Sequence, residues 1–152
     1  MRFLADAMLG KLAKWLRISG YDTLYESGVE DDELVTRAAG EGRVILTRDT
    51  RLARRLAPGG YLFIRDNRTA DQFRQVVSEL GLEACGPGFF TRCTVCNGEL
   101  RAADRESVRG VVPEYTYSVT MKFLRCPSCG RVYWEGTHKA RILERLKAAG
   151  TC

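Results

Sequence analysis

The sequence predicts an α/β domain, a mainly parallel sheet with helices on its faces, followed by a small cysteine-rich module. Three observations carry this reading. Short apolar runs alternate with stretches of helical period over residues 2–80, the pattern of strand–helix–strand crossovers. Breakers fall where such an alternation needs them, at Gly20, Gly42 and Pro58-Gly59-Gly60. From Cys85-Gly86-Pro87-Gly88 onward the alternation stops and two C-x-x-C pairs appear, so we divide the chain into residues 1–88 and residues 89–152.

Residues 2–5 read as a short buried strand ending at Asp6, and residues 8–19 as a helix. Leu9, Leu12, Ala13 and Leu16 share one face of that helix, and Gly20 supplies the left-handed residue that stops it. Lys11 and Lys14 lie on the far side, but so do Trp15 and Ile18, so the C-terminal module or a partner is expected to cover part of that face. Residues 21–25 form the second strand. Glu30-Asp31-Asp32-Glu33 then opens a helix to about residue 39, its acids matched to the positive end of the helix dipole. Residues 43–47 are the clearest buried strand and lead straight into Arg48-Asp49. A helix over 50–57, a strand over 61–64 and a helix over 69–80 complete the first unit. Beyond it, the β-branched and aromatic stretches 99–112 and 115–124 predict hairpin strands, and residues 137–149 a closing helix.

At 152 residues the chain has room for one hydrophobic core plus a small module. Its 45% hydrophobic and 28% charged residues describe an ordinary soluble protein, with no apolar run of membrane-spanning length and no secretion signal; a cytoplasmic location is expected. The net charge of +5 is unevenly placed. Residues 1–88 hold 13 Lys/Arg against 13 Asp/Glu, whereas residues 89–152 hold 11 against 6, so the whole surplus lies in the second part. Four thiolates on one zinc ion would reduce it to about +3, which still suits a polyanionic partner.

Cys93, Cys96, Cys126 and Cys129 form two C-x-x-C pairs separated by 29 residues, the spacing of paired zinc knuckles. Four thiolates fill a tetrahedral shell and leave no position for water, so one structural zinc per chain is expected rather than a catalytic one. Cys85 and Cys152 have no patterned partner, and the grouping favours metal over disulfides. At the other end of the chain, Asp6 and Asp49 each follow a strand, and Asp31 and Asp32 begin the helix after another. The carboxyl ends of parallel strands share one edge, so these acids can converge on a crevice that suits Mg(II) or Mn(II) and phosphodiester cleavage. Each acid also precedes a helix, and taken singly each is a favoured N-cap.

The runs FLADAMLGKLAKWLRISGYDT (3–23), DDELVTRAAGEGRVILTRD (31–49) and RCTVCNGEL (92–100), with Tyr133-Trp134-Glu135-Gly136-Thr137-His138, resemble the PIN-like ribonuclease family named for the C-terminal RNase domain of the Mut-seven exoribonuclease. The resemblance spans nearly the whole chain. It implies a Rossmann-type three-layer PIN fold with an appended zinc ribbon, and metal-dependent RNA cleavage by a cluster of acids. By position, Asp6 matches the acid after the first strand and Asp49 the acid of Thr47-Arg48-Asp49, while the middle acid is Asp31 or Asp32. Asp66 stands where PIN domains have a fourth acid, though its surroundings match no PIN motif. Lys11, Lys14, Arg17, Arg48 and Arg51 are candidates for holding the RNA backbone, Arg48 and Lys11 foremost because both lie within a turn of an acid. His138, the sole histidine, is assigned a structural or RNA-contacting role, and Tyr115, Tyr117, Phe123, Tyr133 and Trp134 either stack on bases or form the core of the module. The expected function is a metal-dependent endoribonuclease whose zinc ribbon assists RNA binding. The alternatives are a non-catalytic RNA- or ribosome-associated binding module and, more weakly, a zinc-stabilised adaptor.

Overall fold

The computed structural model of the chain describes every residue except Ala149, and the side chains of residues 137 and 138 lie outside that description. Four strands, β1 (Arg2–Ala5), β2 (Asp22–Tyr25), β3 (Val44–Thr47) and β4 (Tyr61–Phe63), form a wholly parallel sheet in the order β2-β1-β3-β4. Leu4 of β1 lies opposite both Leu24 and Ile45, which places the three carboxyl ends side by side. The helices joining these strands are α1 (Gly10–Ile18), α2 (Asp31–Glu41) and α3 (Thr50–Arg55), and α4 (Thr69–Leu80) follows β4.

Alternation along the strands sorts the core into two layers. Phe3, Ala5 and Leu46 face Leu9, Leu12, Leu16, Phe73 and Val76 from the α1 and α4 side. Leu4 and Ile45 face Leu34, Ala38 and Leu52 from the α2 and α3 side. The result is the three-layer α/β arrangement the sequence predicts, and the bounds of α4 coincide with the predicted 69–80. No described helix is long and apolar enough to cross a membrane.

The second sheet is antiparallel, with β5 (Arg101–Ala103), β6 (Phe123–Arg125) and β7 (Val132–Trp134) in that order. Here the expected hairpin over 99–112 and 115–124 is corrected. Only Arg101–Ala103 of the first stretch and Phe123 and Leu124 of the second enter the β5–β6 ladder, and the chain between them folds into a 3₁₀ turn at Glu106–Val108 and a helix α5 (Glu114–Val119). Pro113 lacks the N–H a ladder needs and sits at the N-cap of α5, with Glu114 in its first turn. Tyr117 then faces inward, where Arg105 lies 4.4 Å from its ring centroid and donates to the carbonyls of Tyr117 and Thr120 at 2.6 and 2.5 Å. The strand propensity of this stretch gives way to that packing and to the small core of Val108, Val112 and Phe123.

The closing helix α6 (Thr137–Ala148) returns to the first unit. Leu146 is buried in the core shared by α1 and α4, and Ile142 and Leu146 line one small cleft with Trp15 and Ile18. That is the covering of the α1 face which its apolar residues required. A second correction concerns Cys85 and Cys152, which are joined as a disulfide with Cα atoms 5.6 Å apart. Sequence spacing gave no sign of this pair, because the two residues meet only once α6 has docked. In a reducing compartment the pair remains as thiols, so the contribution of the link depends on the redox conditions.

Closing a loop with a sequence separation of 67 stabilises by about 4 kcal/mol on chain-entropy grounds, about as much as burial of Leu146 contributes. Cys152→Ser is expected to lower unfolding free energy by about 2–4 kcal/mol in oxidising denaturant titrations and to change nothing under reductant. Equal stability of variant and wild type under both conditions would refute the link.

Candidate active site and metal centre

The acid site is built from the adjoining carboxyl ends of β1 and β3. The Asp6 N–H donates to the Leu46 carbonyl at 3.0 Å, which continues the β1–β3 ladder by one residue. The Asp6 side chain is buried at 7% exposure and holds three donors. Its Oδ1 accepts the Met8 N–H at 2.9 Å, capping the 3₁₀ turn Ala7–Leu9 that leads into α1. Its Oδ2 accepts the Thr47 hydroxyl at 2.5 Å and the Arg48 N–H at 3.0 Å. Thr47 Oγ1 in turn accepts the Asp49 N–H at 2.9 Å, so Asp49 is placed by way of Asp6. Asp49 Oδ1 caps α3 through the N–H groups of Arg51 and Leu52 at 2.7 and 3.3 Å, while no described residue bonds its Oδ2.

Asp6, Asp31 and Asp49 line one pocket of about 120 Å³, floored by Val29, Leu34 and Leu52. Asp32 does not line it. The Asp31 side chain is 46% exposed and the Asp32 side chain 81%, and Arg55 at the end of α3 pairs with both acids. Of the two, Asp31 therefore belongs with the pocket. Glu26, also on the pocket wall, escaped the sequence reading although it follows β2 directly, as Asp6 follows β1. Arg37 pairs with Glu26 from behind. Asp66 is not brought to this pocket; it lines a separate cleft with Arg65, Asp71 and Glu79.

The basic candidates divide in the same way. Lys11, Lys14 and Arg51 are exposed, the first two along α1 and Arg51 on α3. Arg48 is half-buried, its backbone tied to Asp6 and its guanidinium bonded to Asn67. Arg17 is corrected outright as an RNA contact, because it is 6% exposed and turned inward. Its Nε donates to the Thr23 carbonyl at 2.8 Å, and its Nη1 to the carbonyls of Thr94 and Val95 at 3.2 and 2.9 Å. Helical spacing placed it on the α1 surface without showing that the cysteine module covers that end. The side chain of His138 lies outside the described residues.

Cys93, Cys96, Cys126 and Cys129 present sulfurs that all lie within 4.8 Å of one another, a group able to hold a metal ion such as zinc. Among the described residues no three carboxylates close to that distance. Cys93–Cys129 and Cys96–Cys126 sulfur separations are 3.6 and 3.3 Å, against ~3.8 Å for a tetrahedron of 2.3 Å zinc–sulfur bonds. Burial pushes the Cys93 thiol up, but the N–H of Cys96, the Tyr133 hydroxyl at 3.1 Å and the N–H of Val95 bring it down to about 6. Gly98 is required beside the sulfurs, since a Cβ there would stand 2.8 Å from Ser128 Oγ and 3.0 Å from Cys126 Sγ.

This centre is fastened to the parallel sheet at two points. Arg17 reaches the Cys93–Cys96 knuckle from α1, and burial lowers its pKa, a loss that the neighbouring Cys93, Cys96 and Asp22 offset only in part. Asn97, in the left-handed region at φ 69°, accepts the Thr23 N–H at 3.0 Å and donates to Asp22 at 2.8 Å. Arg43 completes the cluster, 2.6 Å from the same Asp22 oxygen. A family model described as Mut7-C RNAse domain matches residues 1–146. No curated protein and no solved structure matches the chain.

Two outcomes test this assembly. Purified protein is expected to carry about one zinc per chain by elemental analysis, and Cys126→Ser to abolish it. Arg17→Gln is expected to cost about 2–3 kcal/mol of stability because its charged hydrogen bonds span two elements. Unchanged melting of that variant would show the contact to be idle.

Proposed function

The chain belongs to the Mut7-C RNAse domain family, and from that premise we propose that it is a divalent-metal-dependent endoribonuclease cleaving RNA in the acid pocket at the carboxyl edge of the sheet. One observation carries the proposal: Asp6, Asp31 and Asp49 come from three separate segments and line a single pocket together with Glu26. Carboxylate oxygens are hard ligands and suit Mg(II) or Mn(II). The fit rests on oxygens still available, since Asp49 Oδ2 has no described partner and Asp6 Oδ1 holds only one donor. Asp6 and Asp49 would hold such an ion, which would supply Lewis-acid chemistry toward a phosphodiester.

The chain's own part is placement. Three hydrogen bonds hold the Asp6 carboxylate in one orientation, and the cap of α3 does the same for Asp49. Lys11 stands within a turn of the pocket, and Lys14 and Arg51 extend the positive surface on which an RNA backbone can rest. We read residues 1–88 as the nuclease domain and residues 89–152 as a zinc ribbon whose positive surplus assists RNA binding. Its four cysteines would fill the shell of a zinc ion held there, so that ion would serve folding and not cleavage.

The second reading, an RNA-binding chain without catalysis, draws on the same Asp6, whose oxygens already serve as a cap. Asp6→Asn cannot separate the two readings, because its amide would set a donor against Thr47 or Arg48 and cost stability as well. Asp49→Asn is cleaner. Asparagine caps a helix as well as aspartate does, so folding is kept while a ligand charge is lost. With labelled single-stranded RNA and Mg(II) or Mn(II), Asp49→Asn is expected to cleave roughly 100-fold more slowly or worse, and Asp32→Asn within about twofold of wild type. Wild-type protein that binds RNA but never cuts it decides for the non-catalytic reading, whereas Asp49→Asn cutting at the wild-type rate overturns the acid pocket as the place of cleavage.

A further inference from the structure

One cavity among the described residues is larger than the acid pocket. A groove of about 500 Å³ runs between α5, β7 and the start of α6, and a second lobe of about 240 Å³ adjoins it. Both lobes share the rings of Phe90, Tyr133 and Trp134. Tyr115 stands at the rim with 78% of its surface exposed, and Trp134 is 39% exposed. Lys122 lines the second lobe and has no acid bonded to it among the described residues. Lys139 lies 5.7 Å from the Phe90 ring centroid and pairs with Glu135 at 2.8 Å, so one carboxylate also faces the groove.

Phe90 is held there by backbone constraint. It adopts φ 62°, a left-handed conformation that bulky residues rarely occupy, while its N–H donates to the Ile18 carbonyl at 2.7 Å. Just before it, Gly88 passes so close to Gly20 that a Cβ on Gly20 would meet the Gly88 carbonyl oxygen at 2.1 Å. The end of α1 thus sets the turn that presents the Phe90 ring to the groove.

We infer that this groove is a base-stacking site for single-stranded RNA, separate from the acid pocket and serving to anchor the strand that the pocket cleaves. Unpaired bases offer flat π-faces that aromatic side chains take regardless of sequence, and an adjoining lysine meets the backbone. The positive surplus of the chain lies wholly in residues 89–152, which supply Phe90, Tyr115, Tyr133, Trp134 and both lysines. α1 connects the two sites: it begins beside the pocket residues Ala7 and Met8 and ends at Ile18, which bonds Phe90. Its nine residues span ~13 Å, with Lys11 and Lys14 exposed between the ends. A strand held in the groove therefore has a cationic path to the acids.

The choice of RNA rests on the ribonuclease reading above, and the test separates the two. Anisotropy of a short labelled single-stranded oligoribonucleotide is measured on zinc-loaded full chain without added Mg(II) or Mn(II). Tyr115→Ala and Trp134→Ala are each expected to weaken binding roughly tenfold, with Trp134→Phe restoring most of it, and neither to change binding of a blunt duplex of the same sequence. Lys122→Gln is expected to reduce the dependence of log affinity on log salt by about 0.7. With metal added, Trp134→Ala raises KM for single strands more than it lowers kcat. Should Trp134→Ala lose its zinc, the exposed Tyr115 decides alone. Wild-type affinity for single strands in Tyr115→Ala overturns the groove whatever cleavage shows, and so does equal weakening of duplex binding. Intact binding with no cleavage by wild type bears on the acid pocket and leaves the groove standing.

Discussion

Three donors converge on the carboxylate of Asp6, and the geometry of the sheet's carboxyl edge follows from them. A charged group at 7% exposure is costly to bury unless hydrogen bonds replace its water, and here the Met8 N–H, the Thr47 hydroxyl and the Arg48 N–H do so. One oxygen starts the turn into α1 while the other ties the end of β1 to the end of β3. Thr47, already bonded to Asp6, accepts the Asp49 N–H, and Asp49 then starts α3. Helix capping and the placing of the pocket acids are in this way one network. An acid fixed by its cap has lost the rotamer freedom that would otherwise be given up when a cation binds.

A second constraint joins the two sheets. β2 is an edge strand, with backbone groups that would otherwise be open to another chain. Asn97 covers the Thr23 N–H and Arg17 the Thr23 carbonyl, so the cysteine module shields that edge from both sides of one residue. The same Arg17 holds the Cys93–Cys96 knuckle by two carbonyls, so the cysteine group and the parallel sheet share one tie. The arrangement also fixes the aromatic groove relative to the acid pocket, since both are set from the two ends of α1.

Much of this was readable in the linear chain. Period and breakers placed the strands and helices of the first unit, with α4 matched residue for residue, because those elements bury one face in a pattern repeated every 2 or 3.6 positions. The C-x-x-C pairs announced their metal group because knuckle geometry is local and tolerates little variation in spacing. The 104–122 stretch misled for the opposite reason. Its β-branched and aromatic residues favour strand, but Pro113 and the Arg105–Tyr117 packing, which only the folded module brings together, favour turn and helix.

For the site, the chain alone pointed to which acids stand at strand ends and left Asp31 and Asp32 level. The fold parts them, since one turn of helix sends neighbouring side chains in different directions and only one of these reaches the pocket. It also adds Glu26, sends Asp66 to another cleft, turns Arg17 from surface to interior and brings Cys85 to Cys152. All of these depend on contacts between segments distant in sequence, and residue spacing carries no information about which segments will touch. Chemistry that lies within one turn or one knuckle is written in the order of the residues, whereas chemistry assembled across elements exists only once the chain has packed.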